Sequence, residues 1–521
     1  MHLDNNTNSE GQKREYCSNG ASRGGAKIIK TFSSRNTTQN LGNNRFNNTS
    51  NIGAYENNPL IKSGRVSLDK TYNSRTNSKF NNMIPTTYET RDISIVFEED
   101  RQNAKHYDML EETDDDIIVT GTNCDTPICF KTWEDMELDP RLMENIKKSG
   151  YIKPRRIQAF SFPLITAGYD IKGQAETGSG KTAAFLLPII DKMLKLKFVS
   201  MRRTPYALVI TPTRELALQI HEQAKKFCLN TPYECAKLYG QLEKSSLNRE
   251  LDGGCDILIG TPGKLKDFTK NLQINFSKLA FVVIDEADRL LEFNFANDVN
   301  EIINSPLCTP ISKRQNLLFF ATITKELERY SMDWMRKEVA TIKNKRENEV
   351  NNKIHHNIIN VQGLSKNKLV VDLLIDEQKQ AEESDLSLRK TLVFVERKKV
   401  CNILALMLMN YGIKSASLNG DRLQKDREKA INEFRSGQIT VLVATDVAAR
   451  GIDIFDLDHV IVVDLPKDDF MTYVHRVGRT GRLKKGTATT FYNPETDYDF
   501  KDNLIEMLQN LGQDVPDFLQ Q

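Results

Sequence analysis

Two clusters of residues in this chain carry the groups that phosphate chemistry needs. Asp285-Glu286-Ala287-Asp288 ends a β-branched apolar run, FVVI at 281–284, and about a hundred residues upstream lies Ala175-Glu176-Thr177-Gly178-Ser179-Gly180-Lys181-Thr182. A glycine-rich loop that opens a helix points backbone N–H groups and a lysine at phosphates. Gly178 and Gly180 permit close backbone approach, Lys181 would reach the β- and γ-phosphates, and Thr182 would help coordinate Mg²⁺. An acidic pair at the carboxyl end of a buried strand can hold that metal and prepare a water. Here Asp285 would reach Mg²⁺ and Glu286 would orient or deprotonate the attacking water. On its own the acidic pair reads equally well as a surface feature. Paired with the loop, it predicts nucleoside triphosphate hydrolysis.

A third cluster, His475-Arg476-Val477-Gly478-Arg479-Thr480-Gly481-Arg482, spaces three arginines three residues apart between glycines. Positive charge brought to a γ-phosphate as the transition state forms is what a hydrolase of this kind needs. Arginines on another domain can supply it only when the domains close. The plainer alternative is a basic solvated face, which interruption by glycine disfavours. ATDVAARGID (444–453) adds Asp446, Arg450 and Asp453 at a strand end.

Elements that could position these groups alternate along the chain. Nearly all-apolar runs at 206–210, 256–260, 281–285 and 316–320 predict parallel strands covered by helices on both faces. The charged stretch RENEVNNK (346–353) reads as linker, and the alternation resumes at 391–395, 440–444, 459–463 and 487–491. The pattern predicts two α/β domains of similar size, at 128–345 and 357–521, joined by a linker at 346–356. Residues 91–127 read as an N-terminal extension. Residues 1–90 read as a disordered arm crowded with Asn, Ser and Gly, because so little apolar content cannot offset the entropy of ordering. Up to Asn82 the arm carries 12 Lys/Arg and 5 Asp/Glu, and it holds one Arg-Gly-Gly at 23–25. Loose RNA contact, condensation or a solvated tail would each suit it.

Composition narrows the class further. The 521 residues are 39% hydrophobic with a net charge of +2, enough for two or three cores and without a global basic field. Eight scattered cysteines form no Cys-x-x-Cys pair, which predicts free thiols in a reducing compartment. The first residues hold no apolar signal region, and no run of 18 apolar residues occurs, so neither secretion nor membrane spanning is expected.

Taken in order, the motifs resemble those of the DEAD-box RNA helicases from about residue 128 to 515. Trp133 precedes Gly150-Tyr151-x-x-Pro154-x-x-Ile157-Gln158; then come AETGSGKT, PTRELALQ (212–219), TPGK (261–264), DEAD, FFAT (319–322), LVFVE (392–396), ATDVAARGID and HRVGRTGR. The resemblance implies two RecA-like domains, ATP and Mg²⁺ as cofactors, and single-stranded RNA as partner with little sequence preference. It implies adenine reading by Gln158 with Tyr151 stacking on the base and Lys153 nearby, and Asp453 near the ribose. It implies arginine fingers at Arg479 and Arg482, and coupling through positions 320, Thr322 and His475. RNA contacts fall on Pro212, Arg214, Gly240, Thr261, Gly263, Gln424, Arg427, Thr445 and Asp446. Segments such as HYDMLEE, IIVTG and GDRLQKDRE are similar to the Vasa/Ded1 branch. That likeness implies a monomeric core in cytoplasmic, perinuclear or germ-granule ribonucleoprotein, with translational or small-RNA pathway partners and no membrane.

Departures from the family pattern set further expectations. Phe320 stands where the family has the serine of Ser-Ala-Thr, which puts coupling of hydrolysis to duplex opening in question. The alternatives to a full helicase are therefore an ATP-gated RNA clamp that hardly unwinds, or a scaffold recruited through the arm. Gln241 and Asn294 replace glycines, Lys264 an arginine, Asn419 a histidine, Trp133 a phenylalanine and Glu176 a glutamine.

Overall fold

A computed structural model describes residues 91–107, 117–121, 129–175, 178–241, 243–344, 352–384, 386–446, 457–467, 469–481 and 484–520. The arm at 1–90 and, among the predicted site residues, Glu176, Thr177, Asp453 and Arg482 lie outside them. Among the described residues the chain builds two sheets. The first takes β1 (Ile117–Thr120), β2 (Asp170–Gln174), β3 (Ala207–Ile210), β4 (Cys235–Leu238), β5 (Ile257–Gly260), β6 (Phe281–Ile284), β7 (Gln315–Phe320) and β8 (Val339–Asn344). Their order is β1-β8-β2-β7-β6-β3-β5-β4, parallel throughout except where β1 runs antiparallel to β8 at the edge.

The second sheet takes β9 (Ile354–Asn360), β10 (Thr391–Phe394), β11 (Ser415–Leu418), β12 (Val441–Ala444), β13 (His459–Val462) and β14 (Gly486–Tyr492). Their order is β11-β12-β10-β13-β14-β9, all parallel. Apolar clusters on both faces of each sheet account for the continuous apolar strands. Two mostly parallel sheets wrapped by helices are the α/β architecture that the sequence predicts.

Six strands escaped the apolar-run criterion, each for a visible reason. β4 (CAKL) and β11 (SASL) mix polar residues into short runs, β2 carries Lys172 and Gly173, and β9 alternates. β1 and β8 form one edge of the first sheet, where β1 alternates between half-buried and exposed positions. β9 begins at Ile354, inside the stretch read as linker.

In the first sheet β7 lies between β2 and β6. The strand that launches the phosphate loop and the strand that ends in the acidic tetrapeptide therefore flank it. In register, Gln174 pairs with Phe320 and Ile284 with Leu318. No described helix is long and apolar enough to cross a membrane.

Candidate nucleotide site and domain cleft

The phosphate loop starts where β2 ends. The Ala175 N–H donates to the Phe320 carbonyl at 3.0 Å, prolonging the β2–β7 ladder by one bond. Gly178 and Gly180 then adopt left-handed conformations (φ 83° and 93°), open to glycine at little cost. Gly180 caps the helix Lys181–Lys195, whose N-terminal N–H groups are the natural partners of an anion. Lys181 turns back and donates from Nζ to the Ala175 carbonyl at 2.6 Å. Among the described residues Ser179 Oγ is buried without a hydrogen-bond partner.

Two residues ahead of the loop brace it. Gln158 Oε1 accepts from the Arg155 N–H at 2.9 Å, and Nε2 donates to the Gly180 carbonyl at 3.1 Å. A Cβ on Gly180 would lie 2.5 Å from that Nε2, so any other residue there would displace Gln158 as well as strain the backbone. Arg155 Nη1 donates to the Gly178 carbonyl at 2.7 Å. Arg155 is not among the residues expected from the sequence; it precedes the helix Arg156–Thr166, and an arginine there carries no local signal of its role.

Across β7, the acidic residues follow β6. Asp285 is 2% exposed and Glu286 7%, and Glu286 is held in the left-handed region at φ 50°. Burial pushes the Asp285 carboxyl up to about 7, with Glu286 and Asp288 adding to the rise and Lys181 opposing it. Burial likewise raises Glu286, against the fields of Lys181 and Arg479. Its Oε2 has no hydrogen-bond partner among the described residues. Buried carboxylates in the field of a lysine at a phosphate loop suit a magnesium-bound triphosphate. Asp285 and Thr182 would hold the metal, with the phosphates supplying the remaining oxygens.

The second domain reaches this place. Arg479 is 7% exposed, close enough to bias Glu286 electrostatically. Arg289, one residue past the tetrapeptide, meets His475 Nδ1 of the second domain through Nη2. Farther along the cleft, Glu215 of the first domain accepts from Arg427 Nη2 at 2.9 Å and Gln424 Nε2 at 3.1 Å, all three side chains being buried.

The remaining predicted residues stand mostly past the carboxyl ends of β3, β4, β5 and β12. Pro212 is buried and Arg214 half-buried; Gly240 lets the Arg214 guanidinium approach to 3.1 Å of where its Cβ would be. Thr261 caps the helix Pro262–Lys270, with Gly263 exposed in its first turn. Thr445 is buried, and Asp446 accepts both guanidinium donors of Arg476 at 2.7 and 2.6 Å. The two positions that depart from glycine, Gln241 and Asn294, are both left-handed (φ 69° and 58°). Asparagine tolerates that region well, glutamine less so.

Phe320 has a plain explanation in packing. It is fully buried in the apolar cluster beneath β6 and β7, with Leu318, Ile284 and Ala287 among its members. Asp288 is served instead by the next two residues. Its Oδ2 accepts from the N–H groups of Ala321 and Thr322 (3.1 and 3.0 Å) and from Thr322 Oγ1 (3.2 Å).

The nucleotide cavity, about 680 Å³, is lined by Tyr151, Lys153, Gln158, Lys181, Asp285 and Glu286 among others, and by residues of the second domain such as Lys390. A phosphate-loop geometry beside one mostly parallel sheet, faced by an arginine of the second domain, is the arrangement of tandem-domain P-loop proteins. Comparison with known proteins narrows the class. Residues 155–330 match the DEAD/DEAH box helicase family and residues 365–484 the helicase conserved C-terminal domain. The chain is 37% identical over 406 residues to the ATP-dependent RNA helicase vasa of Drosophila melanogaster, covering 77% of this chain and 59% of that one. It is 36% identical over 412 residues to the ATP-dependent RNA helicase DDX4 of Mus musculus, covering 78% and 57%. Among solved structures, S. cerevisiae Dbp5 bound to RNA and ADP BeF3 matches with TM-score 0.63 at 25% identity, over 74% of this chain and 95% of that one. Mss116 bound to ssRNA and AMP-PNP matches with TM-score 0.63 at 26% identity, over 73% and 76%. The chain belongs to the DEAD-box helicase family, in its Vasa-like branch. It spans less than three fifths of the length of these two curated relatives.

Proposed function

We propose that this chain is an ATP-dependent RNA helicase or ribonucleoprotein remodeller that clamps single-stranded RNA across its two domains and resets the clamp by hydrolysing ATP. The observation that carries the reading is the Glu286 carboxylate: buried, with one oxygen unpartnered among the described residues, and lying in the fields of Lys181 from its own domain and Arg479 from the other. In the proposed reaction Glu286 accepts a proton from the water that attacks the γ-phosphorus. Lys181 and Arg479, with Arg482, stabilise charge on the phosphate oxygens. Magnesium bound by Asp285 and Thr182 would neutralise charge on the β- and γ-phosphates. Gln158 and Tyr151 hold the adenine.

RNA lies across Arg214, Thr261, Gly263, Gln424, Arg427 and Asp446, recognised through phosphates and 2′-hydroxyls rather than base edges. The Vasa-like resemblance supports work in cytoplasmic or germ-granule ribonucleoprotein, in translational control or a small-RNA pathway. Purified protein is expected to hydrolyse ATP faster when single-stranded RNA is added, and Glu286→Gln is expected to remove that activity. RNA that leaves ATP turnover at the Glu286→Gln baseline would overturn the proposal.

A further inference from the structure

The helix Ile93–Tyr107 lies outside both family-matched regions, yet Glu99, Asp100 and Asn103 line the nucleotide cavity. It is built onto the first domain rather than laid upon it. Val96, Phe97 and Ala104 are buried, and Arg91 forks onto both Glu222 oxygens at 2.9 and 2.6 Å. A Cβ on Gly150 would meet Arg101 at 3.2 Å, so the helix approaches as closely as glycine permits.

Beneath it lies a charged group that the hydrolytic site does not use. The Lys226 side chain is 0% exposed. Its ammonium contacts Asp100 of the helix, donates to Gln223 Oε1 at 2.7 Å and to the Tyr151 hydroxyl at 3.3 Å, and lies 4.8 Å from the Tyr151 ring centre and 4.1 Å from that of Phe227. The Tyr151 hydroxyl donates in turn to Asp100 Oδ2 at 3.2 Å, while Trp133 stacks beside the ring with centroids 6.3 Å apart. A buried ammonium needs a compensating charge, and among the described residues its carboxylate partner, Asp100, comes from this helix.

We propose that the helix Ile93–Tyr107 is a positioning element for nucleobase binding: Asp100, tied to Lys226, fixes Tyr151 at the wall of the cavity. The extension then sets nucleotide affinity and base preference without touching the reacting phosphate. The inference rests on the assignment of Tyr151 to the base in the proposed function. The helix holds the Tyr151 ring, which could otherwise swing, by its hydroxyl, and a preorganised ring binds more tightly than a mobile one.

The test is binding of fluorescent ADP and GDP analogues, with steady-state ATP and GTP turnover, by the full chain. Asp100→Ala and Tyr151→Phe are each expected to weaken ADP binding about tenfold, as for one charge-assisted hydrogen bond. The loss should fall on KM rather than kcat and narrow the preference for adenine. The double variant should bind no worse than either single one, and Asp100→Glu should recover part of the loss. Because Asp100→Ala strands the Lys226 charge, Asp100→Ala with Lys226→Met serves as the variant that folds without it, with the same expected loss of base preference. Unchanged affinity and preference in that pair, or additive losses in the double variant, would overturn the proposal. Tyr151→Ala separates the two readings. If it loses affinity while the Asp100 variants do not, only the positioning role falls; if it loses none, the base assignment falls with it.

Discussion

Asp288 and Thr322 are joined by two hydrogen bonds, from the threonine N–H at 3.0 Å and its hydroxyl at 3.2 Å. The link between the acidic tetrapeptide and the segment after β7 therefore bypasses position 320. Phe320 fills the apolar layer below, where a serine would leave a void and a polar group. Thr322→Val is expected to lower strand displacement more than ATP binding. Phe320→Ser is expected to cost about 3 kcal/mol of first-domain stability with no gain in displacement. Denaturant melts and a duplex-release assay on the same preparations check both; faster release by Phe320→Ser would show that the serine hydroxyl does matter.

The Arg427–Glu215 pair crosses the cleft with both side chains buried. Removing the arginine leaves Glu215 without its cation when the domains close, a penalty of about 3 kcal/mol, or ~100-fold in RNA affinity measured with a non-hydrolysable ATP analogue. Glu215→Arg combined with Arg427→Glu should recover part of that loss. No recovery would mean that Arg427 acts through RNA alone.

Glu428 brings pH into the same interface. Burial pushes its carboxyl up to about 7; neighbouring Glu215 adds to the rise, and Gln424, Lys237 and Arg427 oppose it. A carboxyl raised in the closed arrangement and ordinary when the domains part binds an extra proton on closing. Closure should thus strengthen as pH falls from about 8 towards 6, and the gain should fade as pH rises through the raised value. Domain-to-domain fluorescence transfer across that range checks the sign, and Glu428→Gln should flatten the curve.

Arg155 braces the Gly178 carbonyl of the phosphate loop at 2.7 Å. Arg155→Met should loosen the loop and weaken ATP binding about tenfold, the worth of one hydrogen bond to a charged donor. Arg155→Lys, which keeps the charge and a donor, should restore part of the loss. Equilibrium binding of a fluorescent ATP analogue measures both, and affinity equal to the wild type in Arg155→Met would remove the role.

Much of this protein was determined by sequence alone. Glycines 178 and 180 before Lys181 mark a tight phosphate loop opening a helix, and with that loop upstream FVVI before Asp285 reads as a buried strand with an acidic end, because local chain geometry and hydrophobic burial act there within short stretches. The short polar strands β4 and β11 were invisible for the converse reason: their burial comes from neighbours distant in sequence. Only the tertiary structure put β7 between the loop strand and the acidic strand, gave Asp288 its partners in Ala321 and Thr322, and set Arg427 against Glu215. It alone brought Asp100 over Lys226, 126 positions along the chain. Those pairings are decided by which buried charges and hydrogen-bonding groups find partners when the whole chain closes, a condition no local stretch of sequence can express.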